Sequence, residues 1–347
     1  MPSACAPPRL VDDFNPPFWL RNRHVQSMLA STFARRAPIT RRSRPVVAVE
    51  QELLLDCGDG VRLQCFRSSP PNEARAPVVV LHGWEGSAQS LYVLSLAQQL
   101  FARGFDVLRL NLLDHGDTHH LNRELFHSCR LSDVIGALRA IQQLFPGKQL
   151  QLAGFSLGGN FMLRAAAAAA PAGLRIGCVI AVSPVLDPRQ TLQALESSFW
   201  GYQAYFVRKW MRSLLKKQSV WPGHYDFADV GRMADLRRMT AELVRRFTEF
   251  PSLDAYLEGY AIIGGRIDAL SVPARIITAR DDPIIPVASL RELRTPPCLE
   301  VTVTRRGGHC GFLERLTGPT WVERCIVEDL VSLSSGGAAA GQLARPG

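Results

Sequence analysis

Gly154-Phe155-Ser156-Leu157-Gly158, with Gly159 following, constrains this chain more tightly than any other segment. Gln149 to Ala153 before it reads as a short strand. Asn160 to Arg164 and the alanines at 165–170 after it read as a helix, alanine being the strongest helix former. A strand that turns sharply into a helix over G-x-S-x-G lifts the serine hydroxyl clear of a sheet edge, and the glycines let backbone pack close around it. The helix N-terminus behind the serine favours developing negative charge. The plain alternative is an incidental serine at a glycine-rich helix start, and the rest of the chain argues against it.

A nucleophilic serine needs a base and an acid. Ile276 to Ala279 reads as a buried strand, followed by the loop Arg280-Asp281-Asp282-Pro283-Ile284-Ile285-Pro286. Leu299 to Val303 reads as another strand, leading into Arg305-Arg306-Gly307-Gly308-His309-Cys310-Gly311-Phe312. Parallel strands deliver their C-terminal ends to one edge of a sheet, so a serine, an acid and a histidine after successive strands can converge there. Ser156 would then attack, His309 would take and return its proton, and an aspartate would orient the imidazole. Asp282 is preferred, because Pro283 and Pro286 stiffen the turn that aims it. Asp281, and Asp187 after the strand Ile176 to Val182, are the other candidates.

Pro77 to Leu81 is an apolar strand, and His82-Gly83-Trp84-Glu85-Gly86-Ser87 follows it. The backbone N–H groups of Trp84 and Leu157 are the expected oxyanion-hole donors. His82 is read as structural.

With Trp19-Leu20-Arg21-Asn22-Arg23-His24-Val25-Gln26-Ser27-Met28, these segments resemble the YheT-like group of bacterial α/β-hydrolases, relatives of the eukaryotic medium-chain fatty-acid ester hydrolases. The resemblance runs from about Phe18 to about Leu330 and is specific as an ordered set. It implies a charge relay of Ser156, Asp282 and His309 and the hydrolysis of esters. The chain departs from the pattern at Asn111 to Asp117, where relatives often carry an arginine-glycine pair, and this bears on substrate preference.

Strands alternate with helical patterns from Val78 onward, the clearest helix being Leu131, Val134, Ile135, Leu138, Ile141 and Leu144 at helical spacing. The expected fold class is α/β, an α/β-hydrolase fold with a mostly parallel central sheet, helices on both faces and a helical cap insertion. The expected division is an N-terminal arm at 1–45, a core at 46–187 and 272–333, a cap at 188–271 and a disordered Gly/Ala/Ser-rich tail at 334–347. Val46 to Leu55 and Val61 to Phe66 read as a hairpin around Cys57-Gly58-Asp59-Gly60. The cap is rich in aromatics, with Phe199, Trp200, Tyr202, Tyr205, Phe206, Trp210 and Trp221. Singly these are packing residues; together they predict an apolar wall for an acyl chain.

Composition narrows the class further. Hydrophobic residues make up 47% of the 347 and charged residues 20%, which excludes a globally disordered chain. The eight cysteines include no C-x-x-C pair, so reduced thiols are the simplest reading. No secretory pattern and no apolar run of about 18 residues is read, and a cytoplasmic protein without a transmembrane segment is expected. The net charge of +9, with arginines crowding 35–44 and 232–246, comes without any nucleic-acid recognition motif, so no nucleic-acid partner is expected. The second cluster shares its helix with Met233, Leu236, Leu243 and Phe247, which marks the arginines as a solvated face.

The functional expectation is a carboxylesterase cleaving short- to medium-chain acyl esters, with a small-molecule ester as partner and no cofactor. An acyltransferase using the same acyl-enzyme and a non-catalytic binding protein on the same scaffold are the alternatives. Asp114-His115-Gly116-Asp117-Thr118-His119-His120, with His127 and Cys129, holds metal-ligand types. Their spacing fits no zinc motif and a serine triad needs no metal, so none is expected.

Overall fold

A computed structural model describes residues 9–11, 13–30, 32–198, 200–233 and 235–335. The chain opens with β1 (Arg9–Val11), a 3-10 turn at Phe18–Leu20, and the helices α1 (Arg23–Leu29) and α2 (Phe33–Ala48). A hairpin follows, β2 (Glu50–Asp56) and β3 (Arg62–Ser68), closed by Gly58, Asp59 and Gly60, all at positive φ. Alternation then runs through β4 (Pro77–Leu81), α3 (Leu91–Ala102), β5 (Asp106–Leu110), α4 (Leu131–Gln143), β6 (Leu150–Phe155), α5 (Leu157–Ala167), α6 (Ala169–Ala172) and β7 (Ile176–Val182). The cap helices α7 (Pro188–Ser197), α8 (Trp200–Val220), α9 (Leu236–Phe247) and α10 (Leu253–Gly259) interrupt it. It resumes with β8 (Ala274–Ala279), β9 (Leu299–Thr304) and α11 (Trp321–Ser335).

Among the described residues the strands form one nine-stranded sheet in the order β1-β9-β8-β7-β6-β4-β5-β3-β2. Only β3 runs antiparallel to its neighbours, β2 and β5. Val79 and Leu81 of β4 enter one core cluster, and Val78 and Val80 enter the other. Successive side chains leave a strand on opposite faces. A strand covered on both faces therefore reads as an unbroken apolar run, as Pro77 to Leu81 does. β6 lies between β4 and β7, so the loops after β4, β6, β7, β8 and β9 gather at one sheet edge.

The arm departs from the sequence reading. α2 runs through Pro38 and Pro45, and its last turn takes Val46 to Ala48, so the hairpin strand starts at Glu50 rather than Val46. Proline removes a helical hydrogen bond and argues locally against a helix. Docking overrides that preference. Arg35, Ile39, Ser43 and Val46 are buried at helical spacing, and the Ser43 hydroxyl donates to the Leu94 carbonyl of α3 at 3.3 Å. Met233 precedes α9, whose buried face is Leu236, Met239, Leu243 and Val244. Ser334 and Ser335 finish α11, and the rest of the expected disordered tail, 336–347, lies outside the described residues. Among the described residues no helix is long and apolar enough to cross a membrane, and the cysteines are free thiols.

Candidate active site

Ser156 sits between the end of β6 and the start of α5 with φ 52° and ψ −120°. A non-glycine residue reaches positive φ only when its surroundings force it there. Here those surroundings are two close backbone approaches. A Cβ on Gly154 would lie 2.5 Å from the Gly158 carbonyl oxygen, and one on Gly158 would lie 2.3 Å from that of His82. Only glycine fits at either position. The Ser156 N–H donates to the Val182 carbonyl at 2.8 Å, tying the turn to β7.

His309 Nε2 lies 3.0 Å from Ser156 Oγ, and His309 Nδ1 lies 2.9 Å from Asp282 Oδ2. The other Asp282 oxygen accepts the N–H groups of Ile284 and Ile285 at 2.8 and 2.9 Å. With both its oxygens engaged the carboxylate has one orientation. It holds the proton on Nδ1 and leaves Nε2 as the acceptor for the serine hydroxyl. Burial by itself lowers the His309 pKa, but the facing Asp282 carboxylate, together with the neighbouring Cys310, outweighs it and holds the imidazole above its usual 6.5. The other two candidate acids are elsewhere. Asp281 accepts the Gly308 N–H at 2.9 Å and shapes the histidine loop, and Asp187 caps α7 by accepting the Arg189 N–H.

The arm supplies residues that the sequence reading used only as a family mark. The Ser27 hydroxyl accepts the His309 N–H at 2.8 Å while donating to the Arg23 carbonyl. Gln26, fully buried, accepts the Leu313 N–H and donates to the carbonyls of Leu20 and Leu313. α1 thereby braces both ends of the histidine loop. Asn22, whose side chain caps α1 by accepting from His24 and Val25, was the one local signal that a helix starts there.

The turn Gly83 to Gly86 lies against the serine, since a Cβ on Gly83 would come 3.1 Å from Ser156 Cβ. Tyr92 accepts the Gly83 N–H through its hydroxyl at 3.0 Å. Among the described residues the N–H groups of Trp84 and Leu157 have no protein acceptor. Two buried histidines fix this turn. His82 Nδ1 donates to the Gly83 carbonyl and Nε2 accepts from Leu112; His115 Nδ1 donates to the Leu113 carbonyl and Nε2 accepts from Glu85. Burial pushes both imidazoles down, His115 to about 4, so both keep the neutral form these bonds require. α8 grips the same turn from the cap. Phe206 stacks on Trp84 at 5.2 Å, Trp210 meets it edge-on at 5.2 Å, and Lys209 Nζ donates to the Glu85 carbonyl at 3.0 Å.

The Asp114–His120 segment holds a cation of its own. Lys217 of α8 places Nζ 2.7 Å from Asp114 Oδ1, 2.8 Å from the Asn122 carbonyl and 2.6 Å from that of Glu124, and both ionic side chains are buried. The remaining Asp114 oxygen accepts the Phe126 N–H, His119 Nε2 meets the Ser213 hydroxyl, and Lys216 pairs with Asp117. Among the described residues no group of three His, Cys, Asp or Glu is placed to hold a metal ion. Lys217→Met would strand a buried carboxylate, and a loss of about 3–5 kcal/mol in urea denaturation is expected. Adding Asp114→Asn should restore much of it; an unchanged midpoint for the single variant would show that the pair does not hold the cap.

A cleft of about 1650 Å³ opens onto Ser156 and His309. Leu192, Leu195, Leu236, Leu257, Ile284 and Ile285 give it an apolar wall, and Tyr202, Tyr205, Phe206 and Trp210 of the predicted aromatic set also line it. Trp221 instead donates its indole N–H to the His119 carbonyl. Phe199 and the Trp200 side chain lie outside the described residues.

Residues 76–316 match the family model described as the alpha/beta hydrolase fold, and the chain belongs to that family. It is similar to a candidate esterase of Escherichia coli K12, YheT, at 28% identity over 92% of this chain and 93% of that protein. It is also similar to a candidate esterase of Synechocystis, slr0264, at 23% identity over 86% and 87% of the two chains. Among solved structures, the esterase Pf2001 of Pyrococcus furiosus shares the fold with a TM-score of 0.54, 17% identity, and coverage of 83% of this chain and 91% of that one.

Proposed function

We propose that the chain is a serine carboxylesterase acting on short- to medium-chain acyl esters. The observation that carries this reading is the unbroken line Asp282–His309–Ser156, with hydrogen-bond lengths of 2.9 and 3.0 Å, beside two unengaged backbone N–H groups. The esterase names of YheT and slr0264 support the same chemistry. Ser156 Oγ adds to the ester carbonyl as its proton passes to His309 Nε2. The Trp84 and Leu157 N–H groups receive the oxyanion, each worth about 2.7–4 kcal/mol to the transition state. His309 then protonates the departing alcohol, and water drawn through the same imidazole releases the acid. The apolar wall of the cleft supports an aliphatic acyl group in preference to a polar one.

A fluorophosphonate probe tests the reading without a known substrate. Labelling of one equivalent at Ser156, lost in Ser156→Ala, is expected by peptide mass spectrometry. An unlabelled, well-folded sample would count against an activated serine. In a p-nitrophenyl ester series kcat/KM should climb from acetyl toward medium chains; a preference confined to acetyl would remove the acyl assignment.

A further inference from the structure

The cleft has a second wall of different chemistry. Arg208 and Arg212, one turn apart on α8, line it together with Arg36 and Thr40 of α2 and with Ser87 and Gln89 of the turn after β4. Most other basic side chains of the cap are matched: Lys216 and Lys217 by Asp117 and Asp114, Arg232 by Asp229, Arg237 by Glu196 and Arg245 by Glu242. Arg36, Arg208 and Arg212 have no ion pair or hydrogen bond among the described residues. The acids lining the cleft do not offset them. Asp114 and Asp117 are taken by the lysines, and burial pushes the Glu85 carboxyl up to about 7. Three guanidinium groups carried by α2 and α8 on one cleft, with no carboxylate taking them, offer the donors of a phosphate site, since guanidinium forks bind phosphate in bidentate fashion. The cleft, at about 1650 Å³, also exceeds the roughly 300–1,000 Å³ of a drug-sized site, leaving room for a ligand with two chemically distinct ends.

We infer that the arginine wall binds an anionic phosphate group on the alcohol side of the ester, so that the preferred substrates are acyl esters of phosphorylated alcohols. The inference rests on the ester-hydrolase reading. Ser156 Oγ forms its bond to the acyl carbon, the bond from that carbon to the alcohol oxygen breaks, and His309 returns the proton to that oxygen. The phosphate ester bond is untouched. Water then releases the fatty acid, and the phosphorylated alcohol leaves with its charge intact.

The test compares 1-decanoylglycerol 3-phosphate with 1-decanoylglycerol, identical in acyl chain and differing in the phosphate. A kcat/KM ratio of about tenfold or more in favour of the phosphorylated ester is expected, the scale of a hydrogen bond to a charged group. The ratio should shrink with added salt, since the arginines are exposed. Arg208→Gln with Arg212→Gln, and separately Arg36→Gln, should bring it toward one. Arg238→Gln, an exposed arginine of α9 that does not line the cleft, should leave it in place. Turnover of the phosphorylated ester below its micelle concentration would identify a free phosphorylated molecule, and turnover confined to neutral vesicles a lipid headgroup; either carries the proposal. Equal kcat/KM on both esters, or a preference that survives all three glutamines, overturns it while leaving the esterase reading in place. Failure on both esters with Ser156 unreactive toward fluorophosphonate overturns both together.

Discussion

Ser156→Ala is expected to lower kcat on the order of a millionfold while leaving the fold intact, and His309→Ala to lower it by a comparable factor. The double variant should lose little more than either single one. The hydroxyl has no use without a base to take its proton, and the imidazole has no proton to take without the hydroxyl. On the proposed mechanism, what survives is the contribution of substrate binding and of the Trp84 and Leu157 N–H groups. The thermal midpoint should hardly move, because among the described residues the Ser156 hydroxyl bonds to His309 alone. Losses that multiply in the double variant would mean that Ser156 and His309 act separately and that the base lies elsewhere.

Asp282→Asn should cost about four orders of magnitude through the tautomer of one ring. The N–H groups of Ile284 and Ile285 demand an acceptor, so the asparagine carbonyl must face them. Its NH₂ then points at His309 Nδ1, which must accept, and the ring proton moves to Nε2. That nitrogen can no longer take a proton from Ser156. The pH profile should carry the same signature. The carboxylate holds the imidazole above 6.5, so wild-type kcat/KM should rise through an apparent pKa above that value as the base becomes neutral. Without the carboxylate the strongest raising interaction is gone, and the residual activity should titrate at a lower pH than wild type. Stability runs in the opposite sense. The imidazolium's contribution is fully present below the unfolded value near 6.5 and is lost as pH rises through the higher folded one. Superimposable profiles for wild type and Asp282→Asn would remove Asp282 from the relay.

The parts of this molecule legible in its sequence are those fixed by short-range rules. The serine turn is a strand, three constrained glycines and a helix within a few residues of chain. β4 is an apolar run, and β8 is centred on the β-branched Ile276, Ile277 and Thr278, so both admit little but strand. The choice among Asp187, Asp281 and Asp282 could be weighted from the neighbouring prolines, but which carboxylate faces His309 depends on how two loops from separate strands meet. Long-range contacts left less trace. Pro38 and Pro45 signal an irregular arm, and only docking on α3 keeps α2 helical through them. Nothing near Asp114 announces a partner 103 residues away, so the loop shows metal-ligand residue types in no metal spacing and gives no sign of Lys217, which reaches it from the cap. Gln26 and Ser27 brace a loop more than 280 residues further on, and their own neighbourhood carries no sign of it.

One helix ties the cap to the chemistry. α8 holds Trp84 and Glu85 through Phe206, Lys209 and Trp210, and it seats Lys217 in the oxygen cage around Asp114. The cap is therefore not an interchangeable module. A chimera that exchanges residues 188–271 for those of another hydrolase would gain a new pocket together with a turn at Trp84 and Glu85 stripped of its support and an orphaned Asp114 carboxylate. A working exchange would have to carry positions 84, 85 and 114 along with the cap. Substitutions on α7, α9 and α10, which line the cleft through Leu192, Leu195, Leu236 and Leu257, are expected to alter the fit of a ligand without loosening the turn Gly83 to Gly86.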